Sequence, residues 1–201
     1  MDLEAVNRSV FLLVNAPADL AGLPLALAIG AANYGDMVLI ALVIWRVVLG
    51  APRERRALVW VAAATALAMG VNHLIGLWFP HPRPFAIGLG HTFISHRQSA
   101  SFPSAHATFM WTVALGLVAL WPRRVSSWIA VLLALMTSWA RVFVGLHFPL
   151  DILGSVVVAA GSLLACLPIR RICRREPGER YPLPVANNKP EPLSLWPRRR
   201  Q

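Results

Sequence analysis

His147 and Asp151 stand four residues apart in the segment HFPLD. On the first turn of a helix that separation puts two side chains on one face. A carboxylate there accepts the Nδ1 hydrogen of the imidazole, fixes its tautomer and leaves Nε2 as a nucleophile. The same pair could instead be a buried tie between two helices. Arg141 lies six residues before His147, so R-x5-H-x3-D sets a guanidinium, an imidazole and a carboxylate around one helix–loop–helix corner. An arginine near a membrane interface can simply snorkel. Beside a nucleophilic imidazole it clamps phosphate oxygens.

Two further clusters carry chemistry of the same kind. Phe102-Pro103-Ser104-Ala105-His106 reads as a helix start, because proline and serine favour that position. A helix start offers unpaired N–H groups and a positive dipole end to an anion, and His106 then stands within reach as a general acid. His81-Pro82-Arg83-Pro84-Phe85 brackets Arg83 with two prolines, and a stiffly held arginine is the better oxyanion clamp. Taken together, the clusters supply two arginines, a serine, two histidines and an aspartate. Asp151 is the one carboxylate between Arg55 and Arg175. A magnesium site wants more than one, so metal-dependent phosphoryl chemistry is disfavoured. His91, His96, His106 and His147 could together suggest zinc, but their spacing is not a compact ligand motif. The expected site therefore has no metal and no cofactor.

The elements that must position these groups are membrane helices. The chain has 201 residues, 57% hydrophobic and 14% charged, with 19 basic side chains against 9 acidic ones. That apolar fraction exceeds the ~45–50% of soluble domains and excludes disorder for most of the chain. Five apolar runs approach the ~20 residues a span needs: 34–49, 57–79, 105–121, 125–146 and 150–169. Residues 9–33 are apolar but interrupted by Pro17, Asp19 and Pro24. They read as an interfacial helix pair or a sixth, broken span, with the interfacial reading favoured. The expected fold is thus an all-α, polytopic membrane bundle of five to six spans. Residues 1–175 form a single integral membrane domain. Residues 176–201, with six prolines and the ending WPRRRQ, form a disordered cytoplasmic tail. No cleavable signal peptide is evident at residues 1–8.

Loop charge sets the orientation. Arg46, Arg53, Arg55 and Arg56, then Arg123 and Arg124, then Arg170, Arg171, Arg174 and Arg175 fall by parity on one side, which is therefore cytoplasmic. The segment 80–104 and the 146–150 connection fall on the other side and hold nearly all the polar chemistry. Basic residues in small groups at helix ends are what topology requires, so the net charge of +10 does not point to nucleic acid. Cys166 and Cys173 read as free thiols. Small residues at Ala62–Ala64, Gly70 and Gly154 are expected at helix contacts, and Trp78, Trp121 and Trp128 at the interfaces.

At these residues the sequence resembles the type 2 phosphatidic acid phosphatase superfamily, marked by K-x6-R-P, then P-S-G-H, then S-R-x5-H-x3-D. Here the motifs read Gly76-x6-Arg83-Pro84, Pro103-Ser104-Ala105-His106 and Ala140-Arg141-x5-His147-x3-Asp151. Order and spacing match. Gly76, Ala105 and Ala140 depart from the pattern, and Arg97 is a candidate to replace the missing lysine. The wording NHLIGLWFPHPRPF, GLGHTF and ARVFVGLHFPLD is similar to the bacitracin-resistance type of undecaprenyl diphosphate phosphatase.

The resemblance implies a metal-independent hydrolase of the bacterial inner membrane, its site facing the periplasm or cell exterior and its substrate a polyprenyl diphosphate of the bilayer. It implies His147 as nucleophile oriented by Asp151, His106 as acid and then base, and Arg83, Arg141 and Ser104 around the phosphate, while Arg97 is this sequence's own candidate for the missing lysine's contact. Three other readings remain open. They are a phosphatase for another lipid phosphate (phosphatidic acid, phosphatidylglycerol phosphate or lipid A), a phosphotransferase on the same chemistry, and a prenyl-phosphate binding protein without turnover.

Overall fold

The computed structural model describes residues 2–96 and 99–174. Arg97 and the tail expected at 176–201 lie outside the described residues. The described chain is helical: α1 (Leu3–Val14), α2 (Leu23–Leu49), α3 (Pro52–Trp78), α4 (Ala105–Leu120), α5 (Val125–Phe143), α6 (Pro149–Ala165) and α7 (Leu167–Arg174). A short 3-10 turn, Pro84–Ile87, interrupts the long connection from α3 to α4.

Proline opens several of these helices. Pro24, Pro52 and Pro149 occupy the first two helical positions of α2, α3 and α6, where no intrahelical N–H bond is lost. This accounts for the difference at residues 9–33. The stretch neither forms an interfacial pair nor spans on its own. It splits at 15–22, and its second half is the start of α2, which Pro24 opens rather than breaks. The first half belongs to α1, whose 12 residues reach only about 18 Å, too short to cross a bilayer. Asn15 ties the end of α1 down. Its Nδ2 donates to the carbonyls of His91 and Phe143, and its Oδ1 accepts from the His91 N–H.

α2, α3 and α5 are each long and apolar enough to cross a membrane, and α6 with α7 forms a further apolar pair bent by 49°. The shorter α4 is apolar and lies inside the bundle against α3, α5 and α6. By length and composition three helices among the described residues can span, or four if the α6–α7 pair counts as one, which is roughly compatible with the expected multi-pass bundle of five to six spans. The α2–α5 contact is set by small residues. Ala28, Ala32 and Gly35 form a buried stripe on α2, and a Cβ at Gly35 would collide with the Thr137 side chain. Ala64 is buried as expected, and Gly154 meets the Phe102 ring, but a Cβ at Gly70 would point into open space.

The arginine clusters gather at one end of the bundle. Glu54 accepts from Arg46 at 2.8 Å and also from Arg124, and Arg46 lies over the Trp121 ring. α7 folds back so that Arg170 covers Trp60 and donates to the carbonyl of Ala119. The motif segments lie at the opposite end, where α3 ends, α4 and α6 begin, and the corner between α5 and α6 turns.

Candidate active site

The corner from Arg141 to Asp151 is shaped by one glycine. Gly145 has φ +84°, and a Cβ there would run into the carbonyl of His91. With the chain turned this way, the N–H groups of Leu146 and His147 both donate to the carbonyl of Arg141, at 3.0 and 3.3 Å. The five-residue spacing of the motif is the length of that turn. Pro149 then starts α6, and Asp151, in its first turn, accepts from the Phe148 N–H at 2.8 Å through Oδ2.

The same Oδ2 lies 3.3 Å from His147 Nδ1 and also accepts from the Ser101 hydroxyl. Nδ1 is 3.1 Å from the carbonyl of Ser101. Two acceptors around Nδ1 require it to carry the hydrogen. On the other side of the ring, Arg83 Nη1 lies 3.0 Å from Nε2, and a guanidinium can only donate, so Nε2 presents its lone pair. His147 and Asp151 are each 1% exposed. Burial pushes the imidazole down to about 4, helped by Arg141 and Arg83 and opposed by Asp151. The ring is therefore neutral at neutral pH, in the tautomer a nucleophile needs.

Arg83 is buried and held along its whole fork. Nε donates to the carbonyl of Ser99, Nη2 to Ser99 Oγ and the carbonyl of Ala100, and Nη1 to the carbonyl of Leu146 as well as to His147. Burial pushes this guanidinium below its ordinary value, and Asp151 acts against the shift. An anion that meets Nε2 must replace the hydrogen bond between Arg83 and His147, so Arg83 already stands where phosphate oxygens would lie. Ser104 caps α4 through its side chain, and its N–H donates to the carbonyl of Asp151 at 3.3 Å. Ser155 ties the two helix starts together by donating to the carbonyls of both Ser104 and Asp151.

Arg141 is 2% exposed, donates to the carbonyl of Ala32 on α2, and has no hydrogen-bond partner for Nε among the described residues. Arg83 and His147 meet directly, and Arg141 acts on both through its charge. His106, on the first turn of α4, faces Asp36 of α2, with Nε2 3.7 Å from Oδ2. A second carboxylate thus joins the site, which corrects the expectation of Asp151 alone. Gly76, where the motif lysine would stand, packs against Ala100, which a Cβ there would meet at 3.4 Å, and both line a cavity of about 290 Å³ together with Asn72, His73, Arg83 and Ser99. Among the described residues, no three His, Cys, Asp or Glu side chains come together as a metal site.

Three residues at the site escaped the sequence reading. Asp36 carried a usable signal, a carboxylate in an apolar run, but the span was read as starting at Tyr34, where a charge costs little. In the longer α2 it is the fourteenth of 27 residues. Ser101 and Asn72 carried none. Ser101 acts through contacts 46 and 50 residues away, and Asn72 of α3 holds the start of α4 by donating to the carbonyl of Pro103 and to Thr108 Oγ1.

Fold and site together define a class: an all-helical, multi-pass membrane protein with a buried histidine set beside buried arginines, an arrangement suited to phosphoryl transfer. The sequence profile of the PAP2 superfamily matches residues 57–175. The chain belongs to that superfamily and is a membrane phosphatase. It is 36% identical over 169 residues to YbjG of Escherichia coli strain K12, assigned by its name as an undecaprenyl-diphosphatase; the match covers 82% of this chain and 81% of that protein. It is 37% identical over 121 residues to the undecaprenyl-diphosphatase BcrC of Bacillus subtilis strain 168, covering 60% of this chain and 61% of that one. The crystal structure of Aquifex aeolicus LpxE shares the fold with a TM-score of 0.67 at 24% identity, covering 84% of this chain and 99% of that one.

Proposed function

We propose that the protein hydrolyses a polyprenyl diphosphate, undecaprenyl diphosphate in the first instance, to the monophosphate in recycling of the cell-wall lipid carrier. The observation that carries this reading is the state of His147, with Nδ1–H held by Asp151 and Ser101 and the Nε2 lone pair against Arg83. His147 Nε2 attacks the terminal phosphorus in line, and the bond to the bridging oxygen breaks. The electron pair leaves with that oxygen, which His106 protonates. Asp151 balances the positive charge that forms on the phosphorylated ring. Arg83, Arg141, Ser104 and the N–H groups opening α4 surround the phosphoryl oxygens. Arg97 is a further candidate contact in place of the motif lysine. Water then attacks the phosphohistidine, with His106 as base, and phosphate is released. No metal or cofactor enters any step.

Two features support a lipid substrate. The site lies at one end of a bundle of apolar helices, where α3 ends and α4 and α6 begin. One turn further along α2 and α4 from Asp36 and His106, an apolar groove of about 600 Å³ begins at Ile40 and Phe109 and follows α2 and α3 toward Arg55. A prenyl tail fits that chemistry. The position of the arginine clusters at the opposite end supports a site facing the periplasm or cell exterior from the bacterial inner membrane.

The test is phosphate release from undecaprenyl and farnesyl diphosphates by purified protein in detergent with chelator present. The panel extends to phosphatidic acid, phosphatidylglycerol phosphate and lipid A, with and without a competing acceptor lipid. Turnover of the prenyl diphosphates above the other lipids is expected. A preference for another lipid reassigns the substrate, and phosphoryl transfer to the acceptor makes the protein a transferase. Prenyl phosphate binding without turnover removes the enzyme reading.

A further inference from the structure

Asp36 lies midway along α2, a place where a membrane helix does not keep a carboxylate without use. It is half-buried, and its Oδ1 accepts from the Met37 N–H of its own helix. Its Oδ2 is turned to His106 Nε2 at 3.7 Å. The other charged or titratable groups that act on His106 are Arg141 from α5 and Arg83 and His96 from the connection between α3 and α4. Asp36 is the one anion among them. It is also one turn from Ala32, whose carbonyl anchors Arg141, so the same stretch of α2 touches both.

We infer that Asp36 is the positioning residue for His106, holding its Nε2–H and leaving Nδ1 to exchange the proton with the reacting oxygens. A proton leaving Nδ1 for the bridging oxygen in the first half-reaction converts the imidazolium to neutral imidazole. A proton taken by Nδ1 from the attacking water in the second half restores it. Asp36 keeps the ring in one orientation through both, and its charge offsets the surrounding cations each time the imidazolium returns. His147 and Asp151 form the nucleophile's pair, and His106 and Asp36 form the acid's pair, supplied by a helix outside the three sequence motifs.

The inference rests on the acid role of His106 and is tested so that the two can fail separately. The rate of phosphate release from farnesyl diphosphate is followed against pH for the wild type, Asp36→Asn, Asp36→Glu and His106→Asn. Asp36→Asn is expected to lower kcat about 10- to 100-fold with KM nearly unchanged, and to move the basic limb of the kcat profile down by about one pH unit, while Asp36→Glu recovers most of the rate. A profile for Asp36→Asn that is unchanged, or scaled equally at every pH, overturns the inference. Full activity in His106→Asn overturns the acid role itself. Should Asp36→Asn not yield folded protein, 15N-histidine spectra of the wild type, with His106 assigned by difference from His106→Asn, decide the matter. A protonated Nε2 at neutral pH supports the inference, and a bare one overturns it.

Discussion

Asp151→Asn separates what the carboxylate does by shape from what it does by charge. Oδ2 of Asp151 accepts from the Phe148 N–H and the Ser101 hydroxyl and stands 3.3 Å from His147 Nδ1. An asparagine oxygen can take all three hydrogens, so the start of α6 and the tautomer of His147 survive the change. What is lost is the negative charge. In the ground state the ring is neutral, because burial holds it at about 4, and the charge matters little for binding. It matters when the Nε2–phosphorus bond forms and the ring becomes cationic.

Two unit charges at 3.3 Å attract by about 5 kcal/mol at an effective dielectric of about 20. The asparagine dipole retains part of this, which leaves a loss of about 3 to 5 kcal/mol in the transition state. At about 1.4 kcal/mol per factor of ten, kcat falls about 140- to 3,700-fold while KM stays within a few-fold. The measurement is steady-state phosphate release from farnesyl diphosphate in detergent, with folding checked by thermal unfolding. Single-turnover trapping of the phosphoenzyme should show its formation slowed by the same factor. An Asp151→Asn variant that is folded and keeps kcat within tenfold of the wild type refutes the charge argument, since no other anion touches the His147 ring among the described residues.

Removing the nucleophile by His147→Ala should abolish phosphate release and phosphoenzyme formation together, read in the same assay. The free enzyme needs Nε2 bare, so the kcat/KM limb belonging to His147 should fall near about 4, well below the ~6.5 of an ordinary imidazole. Because the native ring resists protonation, the unfolded chain binds the extra proton as pH drops. Stability present above about 6.5 is therefore lost as pH falls toward about 4, by up to about 3 kcal/mol. Thermal unfolding should show this slope in the wild type and a flatter one in His147→Ala. Ser101→Ala removes the hydroxyl that donates to Asp151 but keeps the carbonyl that receives Nδ1–H. A loss of about tenfold in kcat with KM unchanged is expected, from one charge-assisted hydrogen bond.

The parts of this site that could be read from sequence are those in which spacing is itself the geometry. R-x5-H-x3-D fixes a helix end, a left-handed glycine and a helix start, and each of those is local. Parity of arginine clusters fixes which loops share an end, because a bundle of spans has only two. Asp36 and Ser101 are different. Their roles depend on which face of α2 meets α4 and α5, and on the path by which residues 99–101 return past His81 to pass beneath His147. Helix rotation about its own axis leaves the hydropathy of an all-apolar span unchanged, so no periodicity in Tyr34–Leu49 announces the face that looks inward. The rule that a mid-membrane carboxylate is functional picked out Asp151 and applied equally to Asp36, but its use depends on knowing where the middle is. Reading Pro24 as a breaker shortened α2 and moved Asp36 to an apparent end. Once proline is allowed at the second helical position, the same rule reaches Asp36, the fourteenth of 27 residues in α2, as it reached Asp151, and each carboxylate faces one histidine.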